Sequence, residues 1–188
     1  MYVSCISYLQ YAIETPSNPQ LKITDIQSLS SLAKEVLGEE NVTVIVDATL
    51  ASPYLLRPLS LGADFSLHSC TKYIGGHSDV LGGVVTAANT PSANRLLPKL
   101  RLAQQIGGGV LSPFESYLAL RGMRSLHVRM ERHCSNAFTV AKFLSAHAKI
   151  EKVFYPGLPS HPQHTLASVQ MNNRFMCRPI NFHFFLKS

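Results

Sequence analysis

The sequence predicts an α/β protein with a mostly parallel sheet and flanking helices, on three observations. Asn41-Val-Thr-Val-Ile-Val-Asp47 sets four β-branched aliphatics in six positions and closes on a carboxylate. That is the pattern of a buried parallel strand with Asp47 at its carboxyl end. Before it, Ile26, Leu29, Leu32, Ala33, Val36 and Leu37 recur at helical spacing between Asp25 and Gly38. A helix therefore feeds the strand as one α/β unit. After it, Phe65 to Ser69 alternates large apolar with small polar residues, as a half-buried strand does.

The remaining elements follow in order. Tyr11 to Ile13 is the tail of a strand, and Thr15-Pro-Ser-Asn-Pro19 is a loop stiffened by two prolines around Asn18. Leu81 to Ala87 is a further apolar strand. Ser92 to Gln105 reads as a helix interrupted near Pro98 and broken by Gly107-Gly-Gly109. Ser112-Pro-Phe-Glu starts the next helix, with Ser112 as cap, Pro113 in the first turn and Glu115 as capping acid. Ser125 to His147 places Leu126, Met130, Cys134, Ala137, Ala141 and Leu144 on one packing face, with Arg129, Arg132 and Lys142 mostly off it. Ile150 to Tyr155 is a final strand.

Composition sets the bounds. The 188 residues suffice for one core of ordinary size, or for a domain and part of a second. With 46% hydrophobic and 15% charged residues the chain is neither disordered nor fibrous. The net charge of +6 is spread over 17 Lys and Arg with no cluster of four, which argues against nucleic acid as a partner. Cys5, Cys70, Cys134 and Cys177 form no C-x-x-C, so free thiols in a reducing compartment are expected. His161 and His164 flank Pro162-Gln163 without a third ligand nearby, and no metal site is expected. The first thirteen residues lack a basic start and a cleavage site and fall short of a membrane span. A cytoplasmic protein without a membrane partner is expected.

The chemistry gathers at Ser69-Cys-Thr-Lys72, where the Phe65 strand runs out into a loop. Such strand ends are where α/β proteins keep their ligands. Ser69 and Thr71 offer hydroxyls to an anion, Gly75 and Gly76 let backbone approach, and Lys72 offers an amine. Taken alone, S-x-T-K reads as a surface lysine beside a turn. An acid at one strand end and a lysine 25 positions on, at the next, suit a cofactor with a basic ring nitrogen and an aldehyde. Pyridoxal phosphate is that cofactor. The G-K-[ST] ending of a nucleotide-binding phosphate loop is absent.

Seven motifs stand in order. They are Glu14-Thr-Pro-Ser-Asn-Pro19, Val46-Asp-Ala-Thr49, Ser52-Pro-Tyr54, Arg57-Pro-Leu-Ser-Leu-Gly-Ala-Asp64, Ser69-Cys-Thr-Lys-Tyr73, Gly76-His-Ser-Asp79 and Tyr155-Pro-Gly-Leu-Pro-Ser-His-Pro-Gln-His164. Together they resemble the Cys/Met-metabolism family of pyridoxal-phosphate enzymes, most closely its cystathionine γ-lyase branch. The resemblance implies the aspartate-aminotransferase-like large domain of fold type I. On it, residues 1–148 are the central part of the cofactor-binding domain, 149–171 begin a small carboxyl-terminal domain, and 172–188 are an ending unlike the family.

It also implies roles. Lys72 would carry the cofactor, Asp47 would keep its ring nitrogen protonated, Ser69 and Thr71 would hold its phosphate, and Asn18 would lie beside the ring and the substrate carboxylate. Ala48 departs from the family's usual asparagine, and Leu50 from its phenylalanine. The implied reaction is γ-elimination from cystathionine, a sulfur amino acid, to cysteine, 2-oxobutanoate and ammonia, in a homotetramer. Cystathionine β-lyases, γ-synthases and O-acetylhomoserine sulfhydrylases share these core residues. Family members also carry a preceding region with a phosphate loop and a ring-stacking tyrosine, and a later arginine for the substrate carboxylate. The chain shows neither, so a non-catalytic fragment or subunit is the second expectation.

Overall fold

Three parallel strands and one antiparallel strand form the main sheet in the computed structural model, which describes residues 9–171 and 183–186. The strands are β1 (Leu9–Glu14), β2 (Val42–Asp47), β3 (Phe65–Ser69) and β4 (Gly83–Ala87), in the order β1-β2-β3-β4. Glu14 lies opposite Asp47, so β1 and β2 end level, and Asp47 lies opposite Leu67, so β3 runs on to Ser69 at the same edge. Val42, Val44 and Val46 are wholly buried, as their β-branched run requires.

Helix α1 (Ile26–Leu37) joins β1 to β2. Asp25 caps it by accepting the Ser28 N–H at 2.9 Å, and Gly38 ends it in a positive-φ conformation. Between β2 and β3 lie the short helix α2 (Ser52–Leu55) and a 3₁₀ turn, Pro58–Leu61. The buried Asp64 ties these pieces together. Its carboxylate accepts from Val44 N–H at 2.8 Å and Thr90 Oγ1 at 2.6 Å, and pairs with Lys34 at 3.2 Å. A buried carboxylate is tolerated only with such partners.

The later helices are α3 (Pro91–Gly107), α4 (Pro113–Arg124), α5 (Leu126–Ser145) and α6 (His164–Gln170). Helix α5 sets Leu126, Met130 and Cys134 into a core with Val42, Val44 and Val46. Ala167 of α6 and Met171 just beyond it join that same core. A second cluster packs Ala137 and Ala141 of α5 on Val153, Tyr155 and Leu158.

Four expectations are adjusted. The apolar strand begins at Gly83 rather than Leu81 and runs antiparallel to β3, because the chain turns back directly after Cys70–Ile74. Helix α3 passes through Pro98 without interruption. An interior proline removes one N–H, and the Asn94 carbonyl it would have served belongs to an exposed residue open to water. Strand β5 is Ile150–Phe154, one residue short of the expected end. Helix α6 covers a stretch for which no element was expected.

The segment 172–188 lies mostly outside the described residues. Its described part, β6 (His183–Leu186), pairs antiparallel with β5, and the Phe185 ring meets Phe154 edge-on with centroids 5.9 Å apart. Cys70 and Cys134 are buried; Cys5 and Cys177 lie outside the described residues. Among the described residues no metal-holding cluster occurs, and no helix is long and apolar enough to cross a membrane.

Candidate functional site

Parallel strands that end at the same edge of a sheet offer several strand-end loops to it, and here the loops are laced together. Beyond β1, Thr15 N–H donates to the Asp47 carbonyl at 3.0 Å. Beyond β2, Thr49 N–H donates to Asp47 Oδ1 at 2.9 Å, folding the chain over the strand end. Thr49 Oγ1 then accepts the Ser69 N–H at 2.8 Å, which binds the end of β2 to the end of β3. Asp47 is half-buried, and its Oδ2 makes no hydrogen bond among the described residues.

From Ser69 the chain enters a π-helical turn, Cys70–Ile74, whose run is broken at Lys72 (φ −90°, ψ −118°). Gly75 N–H closes on the Cys70 carbonyl and Gly76 N–H on the Lys72 carbonyl, each at 2.8 Å. Cys70 and Ile74 point into the interior, whereas Lys72 is exposed. Burial pushes the Cys70 thiol up, away from the reactive thiolate. Thr71 Oγ1 accepts the Gly82 N–H at 3.2 Å, which leaves its own O–H free to donate. Among the described residues Lys72 makes no ion pair.

The structure thus brings Asp47, Ser69, Thr71 and Lys72 to one edge through a continuous hydrogen-bonded frame. Asn18 reaches the same edge only by way of β1. It is exposed in the loop beyond Glu14, whose Oε2 accepts its N–H at 3.4 Å. Ala48 is wholly buried, and its N–H bonds the Leu67 carbonyl at 3.0 Å, so the backbone there is satisfied without a polar side chain.

Beneath the edge, His68 is only 5% exposed and its Nε2 lies 3.1 Å from Ser66 Oγ. Burial lowers its pKa; the Asp47 charge and the Ala48 backbone partly oppose that. His161 and His164 serve the loop before α6. His161 Nδ1 accepts Gln163 N–H at 3.1 Å, and His164 Nδ1 donates to the Pro156 carbonyl at 2.8 Å.

Arg129, expected mostly off the packing face of α5, is half-buried on another side of the helix, turned onto the Lys72 turn and the end of α4. Helical periodicity sorts residues by their own helix and carries no signal for a partner 55 positions away.

A profile of the family described as Cys/Met metabolism PLP-dependent enzyme matches residues 10–183. The chain belongs to this family. It is 49% identical over 159 residues to a cystathionine γ-lyase of Dictyostelium discoideum and 45% identical over 159 residues to a cystathionine β-lyase of Coxiella burnetii. Each alignment covers 85% of this chain and 39% of the relative, so the chain spans about two fifths of their length. Among solved structures it is similar to a cystathionine γ-synthase of Xanthomonas oryzae pv. oryzae, with TM-score 0.85 and 41% identity, covering 95% of this chain and 43% of that one. The fold is therefore that of the pyridoxal-phosphate-dependent Cys/Met enzymes.

The groups at the edge fit the family's cofactor. Pyridoxal phosphate calls for an amine, an acid at the ring nitrogen and donors for a phosphate. Lys72 is an exposed amine, Asp47 has an unpaired carboxylate oxygen, and Thr71 has a free O–H beside Ser69.

Proposed function

We propose that this chain carries the cofactor lysine, ring-nitrogen acid and phosphate donors of a carbon–sulfur lyase that performs γ-elimination on cystathionine. The observation that carries the reading is the frame Asp47–Thr49–Ser69, which holds an acid and a hydroxyl at fixed separation beside the turn of Lys72. When bound, pyridoxal phosphate supplies a ring that accepts the electrons left by a departing α-proton.

The chain's own residues do the rest. Lys72 Nζ would hold the cofactor, and as a free amine would take the proton from the substrate α-carbon and return it further along the substrate. Asp47 holds the ring nitrogen in its protonated state with a carboxylate oriented by Thr49 N–H. Ser69 and Thr71 donate hydroxyls to the phosphate, and Asn18 sits toward the substrate carboxylate. The products are cysteine, 2-oxobutanoate and ammonia, made in the cytoplasm by a homotetramer.

The similarity to a β-lyase as well as a γ-lyase supports a second reading, β-elimination from the same substrate to homocysteine, pyruvate and ammonia. The test is an absorption spectrum of the chain after addition of pyridoxal phosphate and desalting, with Lys72→Ala beside it. A band at the visible edge in the wild type, absent from the variant, is expected. Cystathionine is then supplied, and 2-oxobutanoate is expected over pyruvate. Identical spectra of wild type and variant would overturn the cofactor site, and pyruvate alone would transfer the assignment to the β-lyase reading.

A further inference from the structure

We infer that Arg129, on α5, is the positioning residue for Lys72. Its guanidinium holds the turn Cys70–Ile74 against the corner between α4 and α5. The inference rests on the reading of Lys72 as the cofactor lysine for its meaning, but its geometry stands independently.

The turn is unsupported at one end by its own hydrogen bonds. The Cys70 and Lys72 carbonyls are taken by Gly75 and Gly76 N–H. The Ile74 carbonyl, last in the turn, faces Arg129, whose Nη2 donates to it at 3.4 Å and to the Gly122 carbonyl at 2.8 Å. Nε of the same guanidinium donates to Ser125 Oγ at 3.0 Å. Ser125 Oγ in turn donates to the Gly122 carbonyl at 3.2 Å. A planar fork thus grips the turn, the last turn of α4 and the start of α5 at once. A lysine ammonium lacks that fork.

Two glycines are required by this contact. A Cβ on Gly122 would lie 2.7 Å from the Ile74 carbonyl oxygen and nearer still to that of Gly75. A Cβ on Gly76, which has φ +73°, would lie 2.6 Å from Arg129 Cζ. Backbone therefore meets backbone at Gly122, and the guanidinium lies flat over Gly76, with no space for a side chain at either. Burial lowers the Arg129 pKa, yet an arginine remains charged at neutral pH, so all its donors stay available. Nη1, buried and unpartnered, packs over Gly76.

The consequence is a rigid Lys72. Its backbone is fixed on the β3 side by Cys70 N–H on the Gly82 carbonyl at 2.8 Å, and on the other side by Arg129. Removing one clamp frees half the turn while leaving the sheet intact.

The experiment is amide hydrogen exchange on the chain bearing Arg129→Met, Arg129→Lys or Ser125→Ala, with the visible-edge absorption recorded in parallel. In Arg129→Met, exchange at Gly75 and Gly76 is expected to rise by about tenfold or more, while Val44 and Val46 in β2 stay protected. Arg129→Lys is expected to resemble Arg129→Met, and Ser125→Ala to give a smaller rise in the same two amides. Retention of pyridoxal phosphate after desalting falls in the same order. Unchanged exchange at Gly75 and Gly76 in Arg129→Met, or full protection in Arg129→Lys, overturns the proposal. Should Arg129→Met lose protection throughout β2, Ser125→Ala decides, and a uniform change across the chain counts against a local clamp. If the wild type takes up no pyridoxal phosphate, the cofactor reading fails alone, and the exchange pattern still judges the clamp.

Discussion

His68 is the residue whose surroundings most clearly set its charge. It is 95% buried under the candidate site, with desolvation as the largest influence on its pKa and Asp47 opposing it. Folded, it stays neutral below the ordinary histidine value of 6.5; unfolded, it takes up a proton near that value. The unfolded chain then binds more protons, so the stabilising contribution is complete above about pH 6.5 and declines as the pH falls. His161, also lowered mainly by burial, acts in the same direction. Urea unfolding followed from about pH 7.5 to pH 5 should show decreasing stability, with a shallower slope in His68→Gln. Parallel slopes would show that His68 is not responsible. The acid–lysine pair was legible in the sequence because each residue sits next to its own strand end. Arg129 was not, because its partners come from the Lys72 turn and the end of α4.

At the scale of elements, local signals served best where the chain satisfies its own backbone. Helix α4 has a complete capping box: Ser112 Oγ accepts Glu115 N–H at 3.2 Å, and Glu115 Oε2 accepts Ser112 N–H at 2.9 Å. Those bonds to Ser112 hold the Glu115 carboxyl below the usual range. Ser112→Ala should lower stability by about 1 kcal/mol, with the loss read from chemical unfolding. Glu115→Gln, which keeps an acceptor for the Ser112 N–H, should cost less. Strand β2 was legible for the same reason, since β-branched residues on both faces admit few alternatives. Pro98 misled, because a proline announces a break that the rest of α3, anchored by the Thr90 cap on Ala93 N–H at 3.2 Å, does not make.

Over the whole molecule, two glutamines bind the later part of the chain to the earlier. Gln170, 7% exposed, accepts Ile26 N–H at 2.9 Å and donates to the Thr24 carbonyl at 3.1 Å. Gln163 accepts Ile23 N–H at 2.7 Å and donates to the Ile23 carbonyl. Ile26 opens α1, where the first N–H groups have no partner within the helix, so Gln170 supplies one from 144 positions away. Gln170→Leu leaves two backbone groups unpaired and should cost about 1–3 kcal/mol. Gln170→Glu, which keeps the acceptor for Ile26, should recover part of it. Equal unfolding midpoints for all three proteins would show that this tie carries no stability.

The sequence by itself determined the α/β alternation, the buried β2 strand, the caps of α1 and α4, and the family motifs that point to pyridoxal phosphate. Each depends on residues close together in the chain, where periodicity and capping act. Only the tertiary structure decided the antiparallel direction of β4, the helix α6 held by Gln163 and Gln170, and the grip of Arg129 on the Lys72 turn. Each of these is a bond between backbone and a distant side chain or strand, and its partner is chosen by packing rather than by spacing.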